Sequence, residues 1–214
     1  MPSVPVSMQS PELEMSVFEA ILSRRSVRNY TPQPADQQIV RILLEAAVRA
    51  PTSMHQEPCV FIVIQDQPLL QRLSNLAKPL FMAETAISSH ILNSWDQPDA
   101  NIFYNASTLI VIGSFATGQF VTADCWLAAE NLMLTACSMG LGSCVIGSAL
   151  PIFNMPEIKA EFGIPAEYSA IAPIIIGYPS GATVPVSRND PVVLSIQQSN
   201  GCMSALNLTS ESMF

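Results

Sequence analysis

The stretch SRRSVRNYTPQP, residues 23–34, places three arginines within five residues of a chain whose formal net charge is -8. Arg24, Arg25 and Arg28 follow a segment with helical periodicity. One interpretation is that they complement the negative end of that helix and face water. A second is that they converge with Ser26 on an anion such as a phosphate. Regulatory phosphorylation of Ser26 is a third, so this stretch alone leaves the function open.

The composition predicts one domain with a subunit interface. The chain has 214 residues, of which 49% are hydrophobic and 12% charged. This is more apolar side chain than a monomer of this length comfortably buries. We therefore expect a homo-oligomer whose interface covers part of the apolar surface.

Charge and composition also exclude several classes of protein. Nine Lys and Arg residues are too few for the basic face of a nucleic-acid-binding protein. The apolar runs are far shorter than the ~18 residues that span a bilayer, so no membrane partner is expected. Five cysteines at unrelated spacings favour reduced thiols in the cytoplasm. Two histidines without a neighbouring cysteine pair predict no metal site.

The pattern of apolar residues predicts an α+β protein with tails at both ends. Helices are expected at residues 12–23, 36–50, 68–82 (continuing to 93), 122–139 and 151–162, and buried strands at 59–64, 108–112, 143–146 and 169–176. Asp36 is the expected N-cap of the second helix, and Gly140 the expected end of the fourth. Residues 1–11 are expected to form a flexible arm, 12–190 the domain, and 191–214 a C-terminal extension in a proline-rich, aperiodic tail.

The glycine-rich segment CSMGLGSCVIG, residues 137–147, does not match a nucleotide-binding motif. Val145 stands at the third glycine of a dinucleotide fingerprint, and the segment follows a helix instead of a strand. Ser148 and Ala149 replace the Lys-[Ser/Thr] of a P-loop. A tight turn between a helix and a strand explains the glycines.

Three segments in order, RRSVRNY (residues 24–30), APTSMHQEPCVF (50–61) and CSMGLGSCVIG (137–147), resemble the nitroreductase family of FMN enzymes. The resemblance extends over roughly residues 16–190. It implies an α+β nitroreductase-like fold, with a central mixed β-sheet flanked by helices in an intertwined homodimer whose two FMN sites lie at the interface.

The resemblance also implies which residues bind the cofactor. Arg24, Ser26 and Arg28 match the positions that bind the phosphate and ribityl chain of FMN, with Arg25 adjacent. Other matching positions lie along the flavin ring or near the C-terminus, namely Pro51, Thr52, Ser53, His55, Ile146, Gly147 and Arg188. No catalytic side chain is implied, because N5 of the flavin carries the hydride.

This chain departs from the family pattern at several of these positions. His55 and Glu57 replace an asparagine and a glutamine, and Val186 stands where a lysine often contributes to the phosphate site. A carboxylate beside a flavin that becomes anionic opposes its reduction unless it is protonated or turned away. Arg25 is a candidate to replace the missing charge.

The function implied is an FMN-dependent NAD(P)H oxidoreductase. It uses NADH or NADPH as electron donor and reduces nitroaromatic, quinone or related electron-poor small molecules by ping-pong hydride transfer. The alternatives are the same fold with another acceptor (a dehalogenase, an enone or flavin reductase, or a flavin-fragmenting enzyme), a non-catalytic flavin-binding protein, and an anion-binding module without flavin.

Overall fold

The computed structural model describes residues 15–84, 100–199 and 202–208. The helices are α1 (Val17–Ser23), α2 (Gln37–Ala47), α3 (Gln67–Glu84), α4 (Gln119–Ser138), α5 (Leu150–Asn154) and α6 (Pro156–Phe162). The strands are β1 (Val60–Ile64), β2 (Thr108–Ser114), β3 (Gly142–Val145), β4 (Ser169–Gly177), β5 (Val193–Ser199) and β6 (Cys202–Leu208). The expected arm at 1–11 and the helical continuation at 85–93 lie outside the described residues.

A four-stranded sheet in the order β1-β2-β4-β3 forms the centre of the main unit. All three strand pairs are antiparallel. The sheet was expected to be mixed, and its parallel component among the described residues is one isolated bridge between Ser26 and Ser143. The α+β class and the helix-flanked sheet are confirmed.

Helices cover both faces of this sheet because the central strand β2 is buried on both sides. Leu109 and Val111 belong to one core cluster, together with residues of α3, α5 and α6. Ile110 and Ile112, which alternate with them, belong to a second cluster with residues of α2 and α4. Successive side chains of a strand point to opposite faces, so the apolar run of β2 requires a helical layer on each face.

Two helix ends that position the site follow from local sequence. The Asp36 carboxylate accepts the N–H of Ile39 at 2.8 Å and begins α2 as expected. At the end of α4, Gly140 has φ +74°, and the N–H of Leu141 reaches the carbonyl of Ala136 at 2.8 Å. This is a Schellman ending, in which glycine takes the left-handed conformation at low cost. The chain therefore turns directly into β3.

Two expected elements differ in the structure. Strand β1 was predicted to be buried on both faces, but it is an edge strand and Val63 is 39% exposed. The helix expected over residues 151–162 is two helices, because Met155 is extended and Pro156 starts α6. Proline has no N–H to continue the preceding helix and disfavours helical backbone in the residue before it.

The chain divides into two compact units, Met1–Thr183 and Val184–Phe214. The second contains β5 and β6, which pair as an antiparallel hairpin. The prediction of an aperiodic tail is therefore wrong for residues 193–199 and 202–208. The predicted domain boundary between residues 190 and 191 stays a prediction. Within the described ranges, no helix has the length and apolar character needed to cross a bilayer.

Candidate functional site

The arginine segment, residues 24–30, lies beside the edge strand β3. The N–H of Val27 donates to the carbonyl of Ser143 at 3.0 Å, within the parallel bridge of Ser26 and Ser143. Gly142 permits this approach, since a Cβ there would lie 2.8 Å from the Val27 side chain. The segment therefore joins the β3 edge of the sheet through one isolated bridge.

Arg24, Ser26 and Arg28 project to the same side of this extended segment because side chains alternate along it. The structure supports this through one neighbour, the Cys144 thiol of β3. Burial raises the pKa of Cys144, while the charge of Arg28, a hydrogen bond with Ser26 and the charge of Arg24 lower it. Two guanidinium groups and a hydroxyl therefore lie within interaction range of one residue of β3.

The two guanidinium groups have different partners. That of Arg24 is half-buried and lies 3.6 Å from the carboxylate of Glu130 on α4. That of Arg28 lies 5.9 Å from the ring centroid of Tyr104, in the range of a cation–π contact. These contacts orient both side chains while leaving further N–H donors for an anion.

Arg25 has a different role from its neighbours. Its Nη1 donates to the carbonyl of Leu22 at 2.7 Å and to that of Arg24 at 2.8 Å. The first of these carbonyls belongs to the last turn of α1, where cations are favoured. Of the interpretations of the arginine stretch, helix-end stabilisation therefore describes Arg25.

A cavity of about 260 Å³ lies next to the arginine segment. Its walls come from Arg24 and Arg25, from the turn between α4 and β3, and from residues 179–183. Ser26 and Arg28 do not line it. The cavity therefore lies beside Arg24 and Arg25 and does not reach the Ser26 and Arg28 side chains.

The proline loop, residues 51–58, is attached to α4. The N–H of Ser53 lies 3.1 Å from each carboxylate oxygen of Asp124, a residue that is 5% exposed. The Thr52 hydroxyl accepts the N–H of Glu57 at 3.3 Å. A buried carboxylate therefore holds the start of this loop, and a threonine hydroxyl braces its interior.

The middle of the proline loop has strained backbone. Met54, His55 and Glu57 have φ values of 50°, 53° and 46°. Non-glycine residues in this region cost on the order of 1 kcal/mol or more each, and such strain clusters at functional sites. The exposed His55 and Glu57 side chains therefore belong to a segment whose conformation the surrounding contacts impose.

Ile146 and Gly147 follow β3, on the same part of the sheet as Cys144. Ile146 is 4% exposed, and its N–H donates to the carbonyl of Pro173 at 2.8 Å. A Cβ added to Gly147 would meet no atom within 4 Å. The Ile146 N–H is therefore used within the chain, whereas the space in front of Gly147 is open.

The structure brings Arg24, Ser26 and Arg28 together near β3, but it separates them from the proline loop. That loop leads into β1, which is the opposite edge of the sheet. The arginine segment lies beside β3 at the other edge, so the strand order puts β2, β4 and β3 between the two groups. Arg188 lies in the second compact unit. The predicted site residues thus form at least two separate groups within one chain.

Sequence reasoning missed the acidic partners of the arginine segment and of the proline loop, although the sequence contains a signal for them. Asp124 and Glu130 are the only charged residues in the sequence of α4. Asp124 holds the proline loop and Glu130 contacts Arg24. A charged residue in an otherwise apolar helix needs a partner, and that rule would have selected both. Tyr104 was also missed, and nothing in its sequence context indicates the contact with Arg28.

The residues near β3 fit a cofactor that carries a phosphate. Arg24, Ser26 and Arg28 supply charged and neutral donors of the kind that phosphate oxygens accept. Open space in front of Gly147 lets a flat ring approach the backbone. Among the described residues, no three His, Cys, Asp or Glu side chains cluster closely enough to hold a metal ion. FMN therefore fits the donor set at this edge of the sheet.

Comparison with known proteins agrees with this geometry. The family described as "Nitroreductase family" matches residues 21–178. Protein DrgA of Synechocystis sp. is 30% identical over 181 residues, covering 75% of this chain and 82% of that protein. A candidate NADH dehydrogenase/NAD(P)H nitroreductase of Methanothermobacter thermautotrophicus is 29% identical over 178 residues, covering 83% and 84%.

The fold has solved counterparts as well. The crystal structure of a nitroreductase with bound FMN from Bacteroides fragilis superposes with a TM-score of 0.73 at 26% identity, covering 86% of this chain and 100% of that one. The family match includes the arginine segment, the proline loop and the turn from α4 into β3. On these grounds the chain belongs to the nitroreductase family.

Proposed function

We propose that this chain is an FMN-dependent NAD(P)H oxidoreductase that reduces electron-poor acceptors such as nitroaromatics and quinones. The observation that carries the proposal is the pairing of the arginine segment with β3, which places Arg24, Ser26 and Arg28 beside that strand, in a member of the nitroreductase family. The FMN-bound nitroreductase of Bacteroides fragilis and the nitroreductase name of the archaeal relative support the cofactor and the nicotinamide donor.

Arg24, Ser26 and Arg28 are proposed to hold the phosphate and the ribityl chain. Ile146 and Gly147 are proposed to lie beside the flavin ring, with Pro51, Thr52, Ser53 and His55 as further contacts. Arg188 is proposed to add a charge at the phosphate, whereas Arg25 acts on α1. When bound, FMN supplies the redox chemistry by accepting a hydride from the nicotinamide and delivering it to the acceptor.

The side chains of this chain then serve binding and orientation. Hydride transfer to a flavin needs no side-chain acid or base, so no catalytic residue is proposed. The nicotinamide and the acceptor are proposed to occupy the same place in turn, which is the ping-pong order. A Glu57 carboxylate turned toward the ring would disfavour negative charge there and so lower the reduction potential.

We also propose a homodimer with two sites between the subunits. The two groups of predicted site residues lie at opposite edges of the sheet, so they are not adjacent within one chain. Helix α1 exposes an apolar surface: Val17 is 73% exposed, Phe18 69% and Leu22 57%. Trp126 and Leu127 of α4 are exposed as well. Apolar patches of this kind mark interaction sites.

The protein is proposed to act in the cytoplasm on a small-molecule acceptor. Four of the five cysteines, Cys59, Cys125, Cys137 and Cys144, carry free thiols in the structure. Such thiols are typical of proteins in a reducing compartment. No nucleic-acid or membrane partner is proposed.

The visible absorption of the purified protein tests the function. We expect a flavin spectrum that bleaches anaerobically on addition of NADH or NADPH and returns when menadione or nitrofurazone is added. A colourless protein that cannot be loaded with FMN would contradict the flavin proposal. A yellow protein that neither nucleotide bleaches would be a flavin-binding protein instead of a reductase.

A further inference from the structure

Two cysteine thiols that the proposed function does not use lie in contact. The Sγ atoms of Cys59 and Cys125 are 3.8 Å apart. Cys59 comes just before β1 and is half-buried, whereas Cys125 on α4 is fully buried. One thiol is therefore open to small reagents and is backed by a second one that is not.

The fold itself places these two residues at one corner. Val60, which follows Cys59, pairs with Gly113 of β2. The Cys125 thiol lies 3.7 Å from the carbonyl oxygen of the same Gly113. Cys125 on the helix and Cys59 just before β1 thus both lie next to Gly113 of the central strand. Their contact does not depend on a loop conformation.

The distance between the two sulfur atoms is short enough for a bond to form. A disulfide has an S–S length of about 2.05 Å, so the atoms must approach by roughly 1.8 Å. Rotation about the χ1 torsions of both side chains can share this movement. The pair is therefore close to bonding without being bonded.

The two thiols also differ in reactivity. The hydrogen bond between the two thiols lowers the pKa of Cys59, against the opposing effects of burial and of the nearby Asp124 carboxylate. The pKa of Cys125 is raised, first by its interaction with Cys59 and then by burial. Because the thiolate is the reactive form, Cys59 is the attacking thiol, and Cys125 is placed to react with its oxidised sulfur.

The thiol pair closes the proline loop at the end opposite to Asp124. The N–H of Ser53, just before the strained residues, donates to the Asp124 carboxylate. Cys59, which follows the loop, contacts Cys125. Asp124 and Cys125 are consecutive residues of α4. The strained backbone at Met54, His55 and Glu57 is thus held between two adjacent points of one helix.

We propose that Cys59 and Cys125 are a redox-active thiol pair, which peroxides oxidise to a disulfide that fastens the proline loop to α4. The Cys59 thiol loses its proton, the thiolate attacks one oxygen of hydrogen peroxide and the O–O bond breaks. One oxygen stays on sulfur as a sulfenic acid, and the other leaves as hydroxide, which takes up the proton that the thiol released and becomes water. The Cys125 sulfur then attacks the Cys59 sulfur, the S–O bond breaks, and a second water leaves with the Cys125 proton. Two electrons pass from the thiols to the peroxide. The proposal does not depend on flavin binding.

Peptide mapping of the full-length protein tests the pair. The protein is treated with hydrogen peroxide, blocked with iodoacetamide and digested without reduction. Chymotrypsin must accompany trypsin, because no lysine or arginine lies between Lys78 and Lys159, and this stretch contains Cys125, Cys137 and Cys144. We expect a peptide pair linked through Cys59 and Cys125, lost after dithiothreitol. A different link, or Cys59 oxidised to sulfinic acid without any link, would overturn the proposal.

Variants and a measurement on the loop complete the test. Cys59→Ser should abolish the link, and Cys137→Ser, at a half-buried position on the same helix, should leave it unchanged. Hydrogen exchange at residues 53–58 should slow at least several-fold in the oxidised wild-type protein and recover on reduction. Exchange that is the same in both forms would overturn the fastening of the loop. The peptide mapping uses wild-type protein, so its result does not depend on whether any variant folds.

Discussion

The backbone N–H of Val27 and the carbonyl of Ser143 are joined by a hydrogen bond of 3.0 Å, and this bond holds the arginine segment along β3. It places Arg24, Ser26 and Arg28 on one side of an extended chain, next to the turn that carries Ile146 and Gly147. This arrangement requires a glycine at position 142, because the arginine segment passes directly over Gly142.

Replacing Gly142 with alanine should displace the arginine segment. The added Cβ would lie 2.8 Å from Val27, closer than side chains normally pack. We expect a loss of about 1–3 kcal/mol in the free energy of unfolding, as for other overpacked sites, and weaker FMN binding. Urea denaturation and FMN titration measure these effects. The matched change is Gly147→Ala, which meets no atom within 4 Å and should leave stability unchanged; equal stability losses in both variants would contradict this account.

Removing the Asp124 carboxylate should release the start of the proline loop. Asp124→Ala leaves the Ser53 N–H without its acceptor. We expect a loss of about 1.5–3 kcal/mol, the range for hydrogen bonds to charged groups, together with faster hydrogen exchange at residues 53–58. Glu45→Ala, which breaks the exposed ion pair with Arg41, is the control and should cost under about 0.5 kcal/mol. Unchanged exchange in Asp124→Ala would show that the carboxylate does not hold the loop.

The stability of the protein should fall at alkaline pH. Burial raises the pKa of Tyr30 and of Tyr168 above the usual tyrosine value. In the unfolded chain both titrate near about 10, so the unfolded state releases protons at lower pH than the folded state does. The free energy of unfolding should therefore decrease as pH rises above about 9.5, by up to about 1.4 kcal/mol per pH unit for each group.

Urea titrations between pH 7 and 11 measure this decrease. Tyr30→Phe removes one of the two groups and should reduce the slope above pH 10, although loss of the 2.8 Å bond to the Val27 carbonyl also lowers stability at neutral pH. A slope that is the same in wild type and Tyr30→Phe would contradict the assignment of Tyr30.

Mixing two inactive variants should restore activity if the site is shared between subunits. One variant carries Arg24→Ala and Arg28→Ala, and the other carries alanine at Pro51, Thr52 and His55. A mixed dimer would have one site with both groups intact, so we expect up to half of wild-type activity per mixed dimer after subunit exchange. Two variants that stay inactive in every mixture, despite a mixed dimer seen by native mass spectrometry, would place the complete site within one chain.

Local sequence signals predicted where most helices lie, and tertiary arrangement explains the misplacement of β1. The Asp36 cap and the Gly140 ending are local chemistry and were predicted correctly. Strand β1 is as apolar as an inner strand, but its place at the sheet edge depends on strand order, which periodicity does not contain. The break before Pro156 was readable from the residue itself and was overlooked.

The candidate site shows the same division. The positions in the arginine segment came from a motif, and the structure places two of its three arginines, with Ser26, near β3. Arg25 turns back to α1, in line with the helix-end interpretation of the stretch, but the motif did not indicate which of the three arginines would do so. The distance between the arginine segment and the proline loop is a consequence of sheet topology. The order of the motifs along the chain therefore indicated which residues belong to the candidate site. It did not indicate which of them lie close together within one subunit.

The FMN dissociation constant of the Arg24→Ala, Arg28→Ala double variant tests whether the arginine segment binds the FMN phosphate. The control is Arg41→Ala, Arg49→Ala, which removes the same charge at exposed positions outside the arginine segment. At about 1.5–3 kcal/mol for each charged hydrogen bond, we expect FMN to bind at least 100-fold more weakly to the first variant. The control should change by less than about three-fold. Equal affinity of both variants for FMN would contradict the assignment of this segment as the phosphate site.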